Sequence, residues 1–331
     1  MNGRSLSQRE PWLDGHARDP RNYQVVALSA LLALGITRFG FDIPPAHLTV
    51  TLTSALAAQW WAQRLGSPTT AAARVAPAGA SPQAARPHTG AFEWRSALIS
   101  GLSICLLLRA RNPLWLALAA LLAVSSKFVL RVPCAGRAGT KHVLNPTNGA
   151  IVMLLACGAP VWVSPAQWGH HLPLALGVAG LGSLVVHRSS RSDVTLAFLA
   201  AWMAVLFGRA WLVGQAWVAP LHQLENGSLA LFAFHMISDP RTTPDSRAGR
   251  VVFACLVAVG AGLVQFVLYR TNGLLWSLAA CSWVVPWLDR RLPGRAFEWS
   301  APGTGASSSE VRHAQSGALL PAGAAGGVRT A

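Results

Sequence analysis

The feature that most constrains this chain is a series of long apolar segments separated by short polar connections. A helix that crosses the hydrocarbon core of a bilayer, roughly 30 Å thick, needs about 20 predominantly apolar residues. The series therefore predicts an all-α polytopic membrane protein with about ten transmembrane helices. The ten segments are residues 23–36, 46–61, 96–108, 114–130, 148–163, 172–186, 194–213, 227–237, 250–268 and 272–288.

The amino-acid composition supports a membrane location. The 331 residues are 52% hydrophobic and 12% charged, whereas about a quarter of the residues in soluble domains are charged. Several of the 14 tryptophans, such as Trp60, Trp61 and Trp162, lie at the edges of apolar segments. Aromatic side chains at such positions anchor helices at the membrane–water interface. We therefore expect the lipid bilayer to be the first partner of this chain.

The distribution of basic residues predicts the topology. The formal net charge is +15, but the cations lie in short connections and are not interleaved with aromatic residues, so we expect no nucleic-acid partner. With a cytoplasmic N-terminus, most of the 27 lysines and arginines face the cytoplasm, as the positive-inside rule requires. This arrangement predicts a multi-pass protein of the cytoplasmic (inner) membrane with both termini cytoplasmic. The opposite side keeps Arg38, Arg109, Arg111, Arg209 and Arg270.

One transmembrane domain, residues 23–288, is expected between two tails. Residues 1–22 form a cytoplasmic tail without the cleavage site of a secretory signal, and residues 289–331 form a disordered cytoplasmic tail rich in Gly, Ala and Ser. Residues 66–90, rich in Ala, Pro, Ser and Thr, are predicted to form a disordered cytoplasmic loop. The five cysteines form no C-x-x-C pair, so we expect buried thiols and no metal site.

Two polar stretches, residues 125–149 and 234–250, interrupt the apolar pattern. The first holds both lysines of the chain, Lys127 and Lys141, and then polar residues around Pro146, where an apolar segment begins. Donors at a helix N-terminus attract anions. The second stretch follows segment 227–237, which is about half the length that a spanning helix needs. Broken helices are tolerated only where they line a cavity or a ligand site.

The position of the two stretches, about one in each half of the chain, suggests two five-helix halves with broken helices. A purely structural explanation exists for parts of both. Residues 145–148 have the pattern of a capped helix start, and Thr243 before Pro244 has the pattern of an N-cap, with Asp245 at the positive end of the helix dipole. That explanation leaves Asp239 and Arg241 without a role, although polar groups at membrane depth are costly.

The functional alternative is a binding site for a phosphorylated or flavin-like ligand. No G-x-S-x-G, H-E-x-x-H, P-loop or G-x-G-x-x-G motif lies in a fitting context, so no catalytic residue is assigned. A histidine such as His142, taken alone, is typical of a protein surface. The candidate cofactor-binding residues are Lys141, His142, Asn145, Thr147, Asn148, Asp239, Arg241 and Thr242.

Two motifs in these stretches resemble the NqrB/RnfD family, the membrane subunits of the sodium-translocating NADH:quinone reductase and of the Rnf complex. Ser126-Lys127-Phe-Val-Leu-Arg131, followed by Lys141-His142-Val-Leu-Asn145-Pro146, is similar to the family's SK-x-x-x-R…GKH-x-FNP stretch. Asp239-Pro-Arg-Thr-Thr-Pro244, followed by Gly249-Arg250, is similar to its DP-x-T-x-P…GR motif. The resemblance implies ten helices, a bound flavin and other redox subunits as partners.

One departure from the family changes the expected cofactor. Members of those complexes carry FMN esterified to a threonine in a Ser-Gly-Ala-Thr-type loop between the motifs. In residues 158–171 of this chain, Ser164 is the only hydroxyl side chain. We therefore expect noncovalent FMN or riboflavin and no covalent FMN-threonine. In length the chain is more similar to stand-alone members of the UnbU type, which occur in enediyne gene clusters.

Two functions from different classes follow. The first is a membrane component of electron transport that binds flavin noncovalently, within a larger assembly or an enediyne-type pathway. The second is a transporter or channel-like protein that uses the broken helices for a small polar or anionic solute. A structural membrane partner without a ligand is the third, plainer alternative.

Overall fold

A computed structural model describes residues 20–38, 40–65, 92–134, 140–164 and 192–294, all within one compact unit, Pro20–Phe297. The expected span 172–186 and the expected loop 66–90 lie outside the described residues. The elements, in chain order, are α1 Pro20–Arg38, α2 Pro45–Leu65, α3 Trp94–Leu107, β1 Leu108–Ala110, α4 Pro113–Val129, β2 Arg131–Pro133, β3 Thr140–His142, α5 Pro146–Ala156, β4 Val161–Val163, α6 Ser192–Leu212, α7 Val218–Leu224, α8 Gly227–Met236, α9 Arg247–Val267, α10 Gly273–Ser282 and α11 Val285–Arg291.

Helix starts follow the local capping chemistry. Asn112 before α4 and Asn145 before α5 each accept a hydrogen bond from a backbone N–H of the first turn, and proline follows each asparagine. The predicted capped start at Asn145 is thus confirmed. The predicted N-cap at Thr243 is wrong, because Ser246 caps α9 by accepting from the backbone N–H of Gly249 at 3.0 Å.

Two helices end in π-helical turns. The last five residues of α8, Phe232–Met236, and the last five of α9, Leu263–Val267, adopt this wider form. A π turn holds one residue more than an α turn and occurs frequently at functional sites. Both π segments lie next to breaks in the helical array, since α8 precedes the second polar stretch and α9 precedes the short α10.

The core forms where helices pack pairwise, with α2 against α4 and α6 against α9. Small side chains occupy the buried face of the first pair, with Ala55 on α2 and Ala119, Ala120 and Ala123 on α4 all fully buried. Small residues let helix backbones approach closely, as is common in membrane proteins. The second pair has larger buried side chains, such as Phe198 on α6 and Phe253 on α9.

Helix length separates two groups. In the described part of the chain, α6 and α9, each with 21 residues, are long and apolar enough to cross a membrane. Five apolar helices are shorter, with 10–17 residues: α3, α4, α5, α8 and α10. The predicted helical architecture is confirmed, and the number of ten spans stays a prediction.

Three apolar segments differ from the predicted continuous helices. Segment 148–163 stops being helical at Ala156, passes through Gly158 at φ +67°, and ends in β4. Its last residue, Val163, pairs with Leu108, which was expected to be helical. Segment 272–288 is divided between Ser282 and Val285, and α11 runs on to Arg291, past the expected boundary of the tail. Helix α7 was not predicted at all.

The helices place two functionally different regions next to each other, and the two meet where Asn145 bonds to Met236 and Asn148 bonds to Leu275. Helix α4 has 17 residues and is therefore about 25 Å long. The antiparallel pair β1–β4 precedes it, and the antiparallel pair β2–β3 follows it. The polar end comprises residues 127–134, 140–145, 239–250 and 289. The cavity end comprises residues 107–110, 161–163, 226–228 and 269–275, where a cavity of about 480 Å³ opens.

Candidate functional site

The two polar stretches meet at the polar end. The Nδ2 of Asn145 donates to the carboxylate of Asp239 at 3.4 Å and to the backbone oxygen of Met236 at 3.4 Å. The backbone N–H of Arg241 donates to the other oxygen of Asp239 at 3.0 Å. Asp239 therefore joins the start of α5 to the loop after α8, and the structure brings together residues that are far apart along the chain.

Three cations surround this junction. Lys127 is buried, and its ammonium donates to the backbone oxygen and the hydroxyl of Ser96 at 2.8 and 2.9 Å. The Nε of Arg131 donates to the backbone oxygen of Lys127 at 2.5 Å. Among the described residues, no carboxylate forms an ion pair with the side chain of Lys127, Arg131 or Arg241, although the charges of Asp239 and Glu93 reach Lys127. Burial and, after it, the positive charge of Arg241 lower the pKa of Arg131.

His142 lies between these charges as a neutral group. Burial lowers its pKa to about 3, and the charges of Arg241, Arg131 and Lys127 act in the same direction. Its Nδ1 is buried without a hydrogen-bond partner in the described part of the structure. A neutral imidazole adds no charge to the cluster at physiological pH, and an orphaned buried nitrogen is costly unless a further group satisfies it. The predicted surface histidine is thus half-buried.

Lys141 belongs to a different arrangement. Its buried ammonium contacts the carboxylate of Asp289, lies 3.4 Å from that of Asp245, and donates to the backbone oxygen of Thr243 at 3.2 Å. The backbone N–H of Asp245 donates to Asp289 at 2.8 Å. This ion cluster ties β3 to the start of α9 and to α11. The predicted role of Lys141 as a ligand donor stays a prediction.

A second ion pair stabilises the same end. Arg250 donates from Nε and Nη2 to the carboxylate of Asp193 at 2.8 and 2.5 Å, and from Nη1 to the backbone oxygen of Asp245 at 2.7 Å. Bidentate arginine–carboxylate pairs fix geometry as well as charge. The first turns of α6 and α9 are thereby held against the ion cluster.

The remaining candidates are buried in α5 or form a hydrogen bond within the loop that follows α8. Asn148 is fully buried, and its Nδ2 donates to the backbone oxygen of Leu275 on α10 at 3.2 Å. Thr147 is buried in the first turn of α5. The hydroxyl of Thr242 donates to the backbone oxygen of Asp239 at 3.3 Å. Sequence reasoning missed the part played by Asp245 and Asp289, and it omitted Arg131 from the candidates although Arg131 lies in the quoted motif.

These features define a mostly helical protein with two candidate membrane spans and a cation-rich cluster built from two separate stretches of chain. Residues 161–298 match the sequence profile of the NQR2, RnfD, RnfE family, which confirms the resemblance to the NqrB/RnfD family. The match includes the second polar stretch, and the first stretch precedes it. The UnbU-type subgroup stays a prediction.

A curated relative points the same way. One protein of Cronobacter sakazakii, named as a subunit of the ion-translocating oxidoreductase complex, is 27% identical to this chain over 124 residues. Those residues are 37% of this chain and 34% of that protein. The chain therefore spans about a third of the length of the relative that it matches.

Proposed function

We propose that this protein is an integral membrane subunit of an electron-transport assembly and that its polar end binds the phosphate of a noncovalently held FMN. One observation carries the proposal. Arg131 and Arg241 lie close enough for one charge to lower the pKa of the other, with no carboxylate paired to either side chain in the described part. Such a cluster is favourable when an anion neutralises it.

The chemistry of the cluster fits a phosphate group. Each guanidinium can offer two parallel N–H donors to a phosphate oxygen pair. Lys127 adds positive potential close to His142, although its ammonium is bonded to Ser96. FMN carries a phosphate and riboflavin does not, so the cluster favours FMN. Asp239, held by Asn145, fixes the loop that carries Arg241.

The flavin would supply the electron-carrying chemistry, while this chain binds and orients it. The relative belongs by name to an ion-translocating oxidoreductase complex, and we extend that assembly to this chain as part of the proposal. Other subunits would then provide the electron donor and acceptor. In this proposal the protein lies in the inner membrane with its polar end in the cytoplasm, and it has a role in an enediyne-type pathway.

An absorbance spectrum of the purified protein, taken before and after acid precipitation, tests the proposal directly. We expect a flavin spectrum that moves to the supernatant on precipitation, because no covalent bond is expected. Loss of one charged hydrogen-bond donor costs about 1.5–3 kcal/mol, so R131Q and R241Q should each weaken FMN binding at least about tenfold.

The matched control is R290Q, which removes an exposed cation from α11. It should leave the affinity for FMN unchanged. Protein without a flavin spectrum, whose melting temperature does not rise with added FMN, would contradict the proposal. Equal affinities for FMN and riboflavin would contradict the assignment of the cluster to the phosphate.

The transport alternative has one observation in its favour. The short helices α5 and α10 start near each other, since Asn148 of α5 bonds to Leu275 of α10, and transporters place solutes where broken helices meet. If this alternative holds, proteoliposomes should show solute flux that N145A and R241Q reduce. Flux that neither substitution changes would remove the reason for it.

A further inference from the structure

The cavity lined by Phe232, Met236 and Leu275 has no role in the function proposed above. Its volume of about 480 Å³ lies within the range of small-molecule sites, about 300–1,000 Å³. Residues from α3, β4, α8, α9 and α10 line it, so it lies among several elements and not along one of them. Among its lining residues are Leu107, Phe232, Met236, Arg270, Leu274 and Leu275.

The inner part of the cavity is apolar. Leu107, Phe232, Met236 and Leu275 are each between 2% and 6% exposed. The backbone oxygen of Met236 accepts from Asn145, and that of Leu275 accepts from Asn148. These two backbone oxygens are therefore already paired, and the inner surface offers an apolar ligand no unpaired carbonyl at these two positions.

The outer part of the cavity is polar and positively charged. Tyr269, Arg270 and Thr271 are exposed, and the polar residues Asn226 and Ser228 also line the cavity. Arg270 is the one charged residue among the described lining residues, and no carboxylate lines the cavity there. Within the described structure, no hydrogen bond or ion pair engages its guanidinium. The opening therefore attracts a single negative charge.

We propose that this cavity binds a small amphipathic monoanion. The apolar body of the ligand lies against Phe232, Met236 and Leu275, and its carboxylate or phosphate group lies at Arg270. The separation of an apolar interior from a cationic opening excludes neutral hydrocarbons and dianionic solutes as preferred ligands. Two sources share this chemistry, namely a free acid dissolved in water and an anionic lipid of the bilayer.

Decanoate is a suitable probe, with decanol as the neutral molecule of the same chain length. Binding of each radiolabelled compound is measured by equilibrium dialysis against the full chain in phosphatidylcholine nanodiscs, with empty nanodiscs as the blank. We expect saturable binding of decanoate and at least about tenfold weaker binding of decanol, because a charged hydrogen bond contributes about 1.5–3 kcal/mol.

Two pairs of variants distinguish decanoate binding in the cavity from binding on the surrounding surface. R270Q should weaken decanoate binding about tenfold, whereas R111Q, which changes an exposed cation at the same end, should not. L274W fills the cavity and should abolish binding, whereas V259W, at a position 61% exposed on α9, should not. Equal binding of decanoate and decanol, or equal effects within either pair, would overturn the proposal.

A second arm identifies the source of the anion. If nanodiscs containing phosphatidylglycerol weaken decanoate binding to the wild-type chain, the natural ligand is an anionic lipid. If they leave binding unchanged, it is a free amphipathic acid. R241Q should leave decanoate binding intact, and R270Q should leave FMN binding intact, so failure at one end is distinguishable from failure at the other.

Discussion

Asn145 and Asn272 each precede a short helix, yet they have different physical roles. Asn145, at φ −58°, caps α5 with its side-chain oxygen and donates from Nδ2 towards the second polar stretch. Asn272, at φ 61°, makes no capping hydrogen bond to α10. It occupies a left-handed backbone conformation, which asparagine tolerates better than most residues. One asparagine connects elements, and the other allows a sharp turn.

The two ends of the unit differ in the same way. The polar end is held together by side-chain hydrogen bonds and buried ion pairs between residues far apart in sequence, such as Lys141 and Asp289. The cavity end relies on backbone turns and a two-stranded pair, and it leaves open space between its elements. Substitutions at the polar end should therefore cost more stability than equivalent substitutions at the cavity end.

The largest effect is expected from K141M. The substitution removes the cation that pairs with Asp289 in the described structure and leaves two buried carboxylates close together. Removing one partner of a buried ion pair costs about 3–5 kcal/mol. Thermal unfolding in detergent, followed by size-exclusion chromatography, should show a large loss of stability. R247M, at an exposed position in the first turn of α9, is the control and should behave as wild type. Similar melting temperatures for both variants would contradict the stabilising role of the buried ion cluster.

An intermediate loss of stability is expected from substitutions of the two asparagines, Asn145 and Asn272. N145A should cost about 2 kcal/mol, because it removes an N-cap and two further hydrogen bonds. N272A should cost about 1 kcal/mol, because alanine is strained at positive φ. Glycine separates the two roles, since N272G should be neutral while N145G still loses the hydrogen bonds to Met236 and Asp239. Urea unfolding measures all four. If N272G is as destabilising as N272A, the backbone explanation fails.

The effect that is smallest at neutral pH concerns His142. Its pKa of about 3 lies below the ordinary value of 6.5, so the unfolded chain binds the proton more readily than the folded chain. The contribution to stability is present above pH 6.5 and is lost as the pH falls towards 3. H142Q should show a weaker decrease of the unfolding free energy over this window, and a ring-carbon NMR titration of the wild type should show no protonation above about pH 5.

The same titration also tests the proposed anion site. Added FMN should raise the pKa of His142, because the phosphate offsets the charges of Arg131 and Arg241. A pKa that stays constant with saturating FMN would place the ligand elsewhere.

Local chemistry made part of this structure predictable. The Asn145-Pro146 cap follows from residue types at fixed spacing, and the meeting of the two polar stretches follows from the cost of polar groups at membrane depth. The pairing of Lys141 with Asp289 does not follow, because it depends on how α11 folds back. Strand β4 was missed for a similar reason. A short apolar run is compatible with helix or strand, and only the pairing of this run with β1 in the folded chain makes it a strand.

The π turns of α8 and α9 give the cavity an unusual dependence on main-chain register. Phe232 and Met236 come from one of these turns and Gln265 from the other. Returning either turn to α-helical winding would rotate the side chains that follow the extra residue by about 100° around the helix axis. The shape of this hollow is therefore set by one surplus residue in each of two helices, and a single-residue deletion would close or redirect it without changing any side chain on its wall.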